Sequence, residues 1–215
     1  MVFDSFIGES IYPLAMGKTI ILTDEEEMML PWKLAEIIEK HSAEIFQVTP
    51  ARLQMCLGNE AFCRAASQLK LVLLGGEVLT PQLLHKLRQV TDAAIINMYG
   101  PTEATVYMTL TDVEDGKHIT IGRPIYNGRI YVLDEQMKPV IPTACGELYM
   151  AGECLARGYI SQPEMTEKVF LPDPYFPGQK MYRSGDMGRL RLDGTFDFGG
   201  RKDNQVKLNG QRVDG

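Results

Sequence analysis

Ala93-Ala94-Ile95-Ile96-Asn97-Met98-Tyr99-Gly100-Pro101-Thr102-Glu103 is the stretch on which the reading of this chain turns. Its first four residues form an apolar run of strand length, and Gly100-Pro101 breaks that run with a turn. Beyond the turn a hydroxyl and a carboxylate stand side by side, on Thr102 and Glu103. An aromatic ring, a backbone open to close approach at Gly100 and two hard oxygen groups are thus held in one short segment. That set suits a purine stacked on Tyr99, with Thr102 and Glu103 near a phosphate-bound Mg²⁺. A Gly-Pro turn carrying a solvated Glu is the plainer alternative for this segment taken alone.

Upstream, apolar runs of the same kind occur at 19–22, 45–48 and 71–74, so that with 93–96 the four starts lie 22 to 26 residues apart. Helical patterns lie between them. Pro31 opens one, with Leu34, Ile37 and Ile38 on one face, and Pro81 opens another, with Leu83, Leu84, Leu87 and Val90 at helical spacing. Strands alternating with helices predict βαβ units, hence an α/β fold with a parallel sheet and flanking helices. Ligands in such sheets sit beyond the carboxyl ends of the strands. The residues there are Thr49-Pro50, Gly75-Gly76-Glu77 and the turn after Ile96. At the start of the chain, Phe3-Asp4-Ser5-Phe6 leads into a helix predicted over 7–12, which Pro13 kinks or ends. Asp4 there reads equally as a helix cap or as a ligand contact.

From about residue 115 short alternating runs broken by Gly and Pro replace the helical periods. They lie at 129–133, 147–151, 189–192, 195–198 and 205–208, with one helix predicted over 163–170. A small antiparallel, barrel-like subdomain is expected. The boundary falls near 112–117, where Glu, Asp and Gly cluster. The expected division is therefore 1–115 for the α/β part, 116–203 for the β-rich part and 204–215 for the start of a further domain. Asn209-Gly210 is a hairpin signal whose second arm, from Gln211, is cut short. That abrupt end leads to the expectation of a truncated piece of something longer.

Composition narrows the classes. The 215 residues are 45% apolar and 23% charged with a net charge of −6, ordinary for a globular protein and without the basic excess a nucleic-acid surface requires. No apolar run reaches bilayer-spanning length and no signal-peptide pattern opens the chain, so neither nucleic acid nor membrane is an expected partner. Cys56, Cys63, Cys145 and Cys154 include no C-x-x-C pair, which favours a reducing, cytoplasmic setting over zinc or disulfides.

Several stretches together resemble the adenylation domains of nonribosomal peptide synthetases, within the acyl-adenylate-forming (AMP-binding) superfamily. They are Phe3-Asp4; the 97–103 segment; Gly146-Glu147-Leu148 with Ala156-Arg157-Gly158-Tyr159 and Pro163-Glu164-Met165-Thr166; Tyr182-Arg183-Ser184-Gly185-Asp186; and Gly200-Arg201-Lys202-Asp203-Asn204-Gln205-Val206-Lys207, continuing to Arg212-Val213. They occur in the family's order and cover nearly the whole chain.

The resemblance implies roles. Tyr99 stacks on adenine, with Asn97 and the backbone of Gly75, Gly76 and Glu77 lining the same pocket and Gly100 in the turn. Thr102 and Glu103 attend Mg²⁺ and the ATP phosphates and are the catalytic pair in this chain. Asp186 accepts from the ribose hydroxyls, Arg201 reaches the ribose-phosphate side, and Asp203 is a hinge. Phe198 stands where a Tyr is common, so a hydroxyl contact is lost there. Asp4 meets the α-amino group of an amino acid. Ser5, Gly8, Gln47, Leu73, Gly75, Met98, Val106 and Tyr107 line a pocket for a neutral, medium or large side chain, no full charge being present among them. Phe6, where the family often has Ser, is a departure in that register. The 146–170 segment is expected to build the barrel and its turns rather than to carry chemistry.

The implied reaction is formation of an aminoacyl-adenylate from amino acid and ATP. The acyl group then passes to the phosphopantetheine thiol of a peptidyl carrier domain. The family's phosphate loop is expected before residue 1 and its catalytic Lys, in a C-terminal domain, after residue 215. The fragment alone is therefore expected to be inactive. A related acyl- or aryl-CoA ligase, with Asp4 as a helix cap, and a non-catalytic nucleotide-binding module are the alternatives.

Overall fold

A computed structural model describes residues 4–114 and 117–202, and the backbone of the strands Val206–Leu208 and Gln211–Val213. The chain divides into two compact units. One is built mainly from Met1–Asn97 with Asp112–Ile119, the other mainly from Met98–Thr111 with Thr120–Val206.

In the first unit a π-helical turn, Ile7–Ile11, runs directly into helix α1 (Tyr12–Ala15). Pro13 therefore does not end the helix. The helical run instead continues through it to Ala15, directly after the π-helical turn. Helix α2 (Glu25–Met29) is closed by a capping box: Glu27 N donates to Asp24 Oδ1 at 2.8 Å and Asp24 N to Glu27 Oε2 at 2.9 Å. The strand expected at 19–22 does not form. Leu22 is 81% exposed, so the run has no core to pack on.

Helix α3 (Pro31–His41) follows, then strand β1 (Ile45–Val48), helices α4 (Pro50–Cys56) and α5 (Glu60–Ala66), strand β2 (Leu71–Gly75), helix α6 (Pro81–Arg88) and strand β3 (Ala94–Tyr99). Thr49, Asn59 and Thr80 each cap the helix that follows by accepting from the N–H three residues on. β1 and β2 pair in parallel, Gln47 beside Leu73. The apolar faces meet in one core that includes Leu34, Leu53, Phe62, Val72, Leu74, Leu87 and Ile95. Each such side chain contributes about 1.5–3 kcal/mol by leaving water.

Strands β4 (Thr109–Asp112) and β5 (Arg123–Pro124) extend the sheet in the order β1-β2-β3-β4-β5. Because β4 and β5 run antiparallel, the sheet is mixed rather than wholly parallel. The second unit is dominated by strands β6 (Gly128–Leu133) and β7 (Gly146–Gly152), helix α7 (Pro163–Val169), and strands β8 (Phe170–Pro172), β9 (Lys180–Leu190) and β10 (Phe196–Arg201). They form an antiparallel half-barrel sheet in the order β10-β9-β7-β6, with β8 also paired to β9. Leu148, Met150, Met108, Phe170, Tyr182 and Phe196 fill its core.

Two expectations are refined. The run at 189–192 is only the end of β9, a long strand that also carries the Tyr182–Asp186 motif, and Phe170 already belongs to β8 rather than to the helix. Strand β11 (Val206–Leu208) pairs with β12 (Gln211–Val213). Asn209-Gly210 between them, and Asp203, lie outside the described residues. Among the described residues no helix is long and apolar enough to cross a membrane.

Candidate functional site

The second unit gathers three of the predicted nucleotide residues around one carboxylate. Tyr99 ends β3, and its hydroxyl donates to Asp186 Oδ2 at 2.5 Å; Arg201 Nη1 donates to Asp186 Oδ1 at 2.8 Å. Sheet irregularities make this meeting happen. A bulge in β10 between Phe198 and Gly200 puts Arg201 directly opposite Asp186 on β9. A second register shift, where β7 passes Leu148, falls at Ser184-Gly185-Asp186 on β9. Ser184 stitches that irregularity: its hydroxyl donates to Leu148 O at 2.6 Å and accepts from Asp186 N at 3.0 Å. Arg201 Nη1 adds a bond to Ser184 O at 2.6 Å.

Asp186 is 7% exposed and its carboxylate has an aromatic hydroxyl on one oxygen and a guanidinium on the other. Burial, then the neighbouring Asp186 charge, pushes the Tyr99 phenol well above its usual range, so it remains a donor at neutral pH. The ring of Tyr99 lies 5.9 Å from that of Phe198, centroid to centroid. Phe198 thus flanks the aromatic residue although it brings no hydroxyl. A carboxylate has about four acceptor positions, so Asp186 held in this way still has the capacity to accept from hydroxyl groups of a ligand.

After the β3 turn, Thr102–Ala104 form one 3-10 turn that leaves Thr102 exposed and Glu103 only 6% exposed. A Cβ on Gly100 would lie 2.5 Å from Met108 N, so the close approach that requires glycine there is made by the chain's own backbone. Glu103 Oε1 accepts from the Tyr159 hydroxyl at 2.6 Å. Thr105 and Val106 follow with φ of 54° and 72°. The left-handed region is costly for a β-branched residue, on the order of 1–3 kcal/mol, so the turn bearing Val106 and Tyr107 is strained. Met98 and Val106 are buried and Tyr107 is half-buried.

The first unit gathers a different subset. Gln47 and Leu73 are paired across β1 and β2, and Gln47 Nε2 donates to Glu9 Oε1 at 2.8 Å. Ser5 also bonds the Glu9 carboxyl, and burial pushes that carboxyl upward against the lowering by Ser5 and Gln47. Glu9, one residue past Gly8, brings a carboxylate to Gln47. Asp4 and Gly8 are half-buried at the start of the helical segment. Gly75 ends β2 and Gly76 follows it, and the Glu77 carboxylate accepts from Ala51 N at 2.8 Å, capping α4. Acceptor charge at a helix N-terminus is favourable, which gives the Glu77 side chain a local structural partner. Asn97 is buried on β3.

The model of the AMP-binding enzyme family matches residues 1–160. The chain belongs to the AMP-binding enzyme family. Its similarity extends further along the sequence: it is 40% identical over 217 residues to a dimodular nonribosomal peptide synthase of Bacillus subtilis (strain 168), all of this chain matching 9% of that protein. Among solved structures it is similar to IdnL1, with a TM-score of 0.90 and 28% identity over 99% of this chain and 45% of that one. A four-domain nonribosomal peptide synthetase, holo-AB3403, solved with AMP and glycine, gives a TM-score of 0.87 and 36% identity over 98% of this chain and 16% of that one. The chain thus spans less than half of each of these relatives.

Within an AMP-binding fold, two partners escaped the sequence reading. Tyr159 lies in the 146–170 segment, expected only to build the barrel and its turns, yet its hydroxyl bonds Glu103. Ser184 belongs to the Tyr182–Asp186 motif, yet its hydroxyl shapes the strand that carries Asp186. A hydroxyl two residues before Asp186 gives no local signal of that task; only the bulge reveals it.

Proposed function

We propose that this chain supplies nucleotide and amino-acid recognition to an adenylation domain that converts an amino acid and ATP into an aminoacyl-adenylate. The observation that carries the reading is the Tyr99–Asp186–Arg201 cluster: a buried carboxylate, oriented by two donors, beside an aromatic ring. Ribose offers two hydroxyl donors to such a carboxylate, and adenine offers a face to the ring. Arg201, already beside Asp186, is the cation on the ribose-phosphate side. A relative solved with AMP and glycine supports the same substrate classes.

The oxygen set at Thr102 and Glu103 fits Mg²⁺ arriving with ATP. One exposed hydroxyl and one oriented carboxylate are too few for an all-protein cage, and among the described residues no group of three or more His, Cys, Asp or Glu surrounds them. Mg²⁺ is commonly held by one or two protein oxygens with phosphates and water completing its shell. Bound there, it would offset negative charge on the phosphates. The protein's own contribution is to hold the carboxylate of Glu103 and the hydroxyl of Thr102 in place while Asp186 and Tyr99 fix the nucleoside.

For the amino acid, Asp4 is proposed to meet the α-amino group, with Ser5, Gly8, Gln47, Leu73, Gly75, Met98, Val106 and Tyr107 around the side chain. The substrate carboxylate then attacks the α-phosphorus, the bond to pyrophosphate breaks, and the mixed anhydride remains. Transfer to a phosphopantetheine thiol on a peptidyl carrier domain follows in this reading. The divisions 1–115, 116–203 and 204–215, with the hinge at Asp203, are retained as part of the proposal. Amino-acid-dependent exchange of labelled pyrophosphate into ATP by the full-length protein is the expected result. Exchange driven by fatty or aryl acids but by no amino acid would replace this reading with the CoA-ligase one.

A further inference from the structure

The segment from Ala156 to Thr166 is built around delivering one hydroxyl to one carboxylate. Tyr159 OH donates to Glu103 Oε1 at 2.6 Å, and Ala156 N donates to Glu103 O at 2.8 Å, so this segment grips Glu103 at side chain and backbone together. The delivery is braced from behind. Tyr159 N donates to Thr166 Oγ1 at 2.8 Å, and that hydroxyl donates in turn to Gln162 O at 2.9 Å. Gly158 has φ of +141°, and a Cβ there would meet Thr166 Cγ2 at 2.4 Å, so only glycine lets the chain pass Thr166 this closely. The Tyr159 ring packs edge-on against Phe170, 5.8 Å away, and Phe170 packs against Tyr182 at 5.2 Å. Thr166, Phe170 and Tyr182, with Gly158, thus fix the phenol.

We propose that Tyr159 is a positioning residue for Glu103, fixing its carboxylate in the orientation from which it meets a divalent cation carried by nucleotide phosphates. This rests on the metal role proposed for Glu103. A carboxylate on free rotors would have to be ordered when the cation arrives; one already bonded to a packed phenol has met part of that entropic cost. Hydrogen bonds behind a ligating carboxylate orient it, and their loss typically lowers metal affinity 10- to 100-fold. A phenol that merely satisfied a buried acceptor would be needed for stability alone.

The test uses the full-length protein and Mn²⁺ as the probe. Affinity for Mn²⁺–ATP and for ATP in the presence of chelator is measured by calorimetry for wild type, Glu103→Gln, Tyr159→Phe and Thr166→Val, with thermal unfolding of each. Tyr159→Phe keeps the ring against Phe170 and removes only the hydroxyl. It is expected to weaken Mn²⁺–ATP binding by about tenfold while chelated ATP binds as in wild type. Thr166→Val, which leaves the hydroxyl but removes its brace, moves in the same direction by less. Wild-type Mn²⁺–ATP affinity in Tyr159→Phe, with Glu103→Gln weakened, overturns the positioning role and leaves the metal role of Glu103 standing. Wild-type affinity in Glu103→Gln removes both. Should Tyr159→Phe fail to fold, Thr166→Val decides, and an unchanged Mn²⁺–ATP affinity in it counts against the proposal.

Discussion

Asp186→Asn is expected to lower ATP-dependent adenylate formation by the full-length protein roughly 10- to 100-fold. Hydrogen bonds to a charged acceptor contribute about 1.5–3 kcal/mol, and about 1.4 kcal/mol corresponds to a factor of ten. The amide keeps the shape of the carboxylate and one oxygen for Tyr99, but it removes the charge that pairs with Arg201 at 2.8 Å and one of the two acceptor oxygens. Loss of the ion pair lowers stability too, so rates alone do not assign the effect to ribose. The separating measurement is discrimination between ATP and its 2′- and 3′-deoxy analogues. Wild type should prefer ATP, and the variant should use all three similarly. If the variant's preference for ATP matches that of wild type, Asp186 does not contact the ribose.

Phe62→Ala is expected to destabilise the first unit by about 3–5 kcal/mol, the range for removing a fully buried aromatic side chain. Phe62 is 0% exposed on α5 and packs against Phe46 of β1 at 5.8 Å between ring centroids. It thus joins a helix to the sheet through the middle of the core. Domains retain a net stability of only about 5–15 kcal/mol, so this one change removes a large share of it. Denaturant unfolding followed by far-UV circular dichroism measures the loss. A cost below about 1 kcal/mol, the scale of an exposed substitution, would mean that Phe62 does not sit in a packed core.

The regular parts of the fold were legible where burial and period agree. The runs at 45–48, 71–74 and 93–96 became β1, β2 and β3 because each has core on which to bury alternate residues, as Val72 and Leu74 do. The run at 19–22 has the same composition but no such core, and composition alone does not distinguish the two cases. Helices α4 and α5 are each seven residues long, too short for a clear amphipathic period, and their ends are set by Thr49, Asn59 and Glu77.

Family order names candidate residues one by one, but it does not give the contacts among them. Tyr99 and Asp186 are 87 residues apart and Tyr159 and Glu103 are 56 apart, so no local pattern couples them. Their meeting depends on two sheet irregularities and on the turn at Gly158, which are properties of paired strands and packed side chains. Glu9 escaped notice because Gln47, which bonds its carboxylate, lies 38 residues further along the chain, beyond any local pattern.

The most direct test of nucleotide recognition is a crystal structure of the full-length protein grown with AMP. Adenine is predicted against the Tyr99 ring, with the ribose hydroxyls within hydrogen-bonding distance of the Asp186 carboxylate and Arg201 on the phosphate side. AMP bound with its ribose away from Asp186 and its base away from Tyr99 would contradict the assignment of this cluster as the nucleoside site.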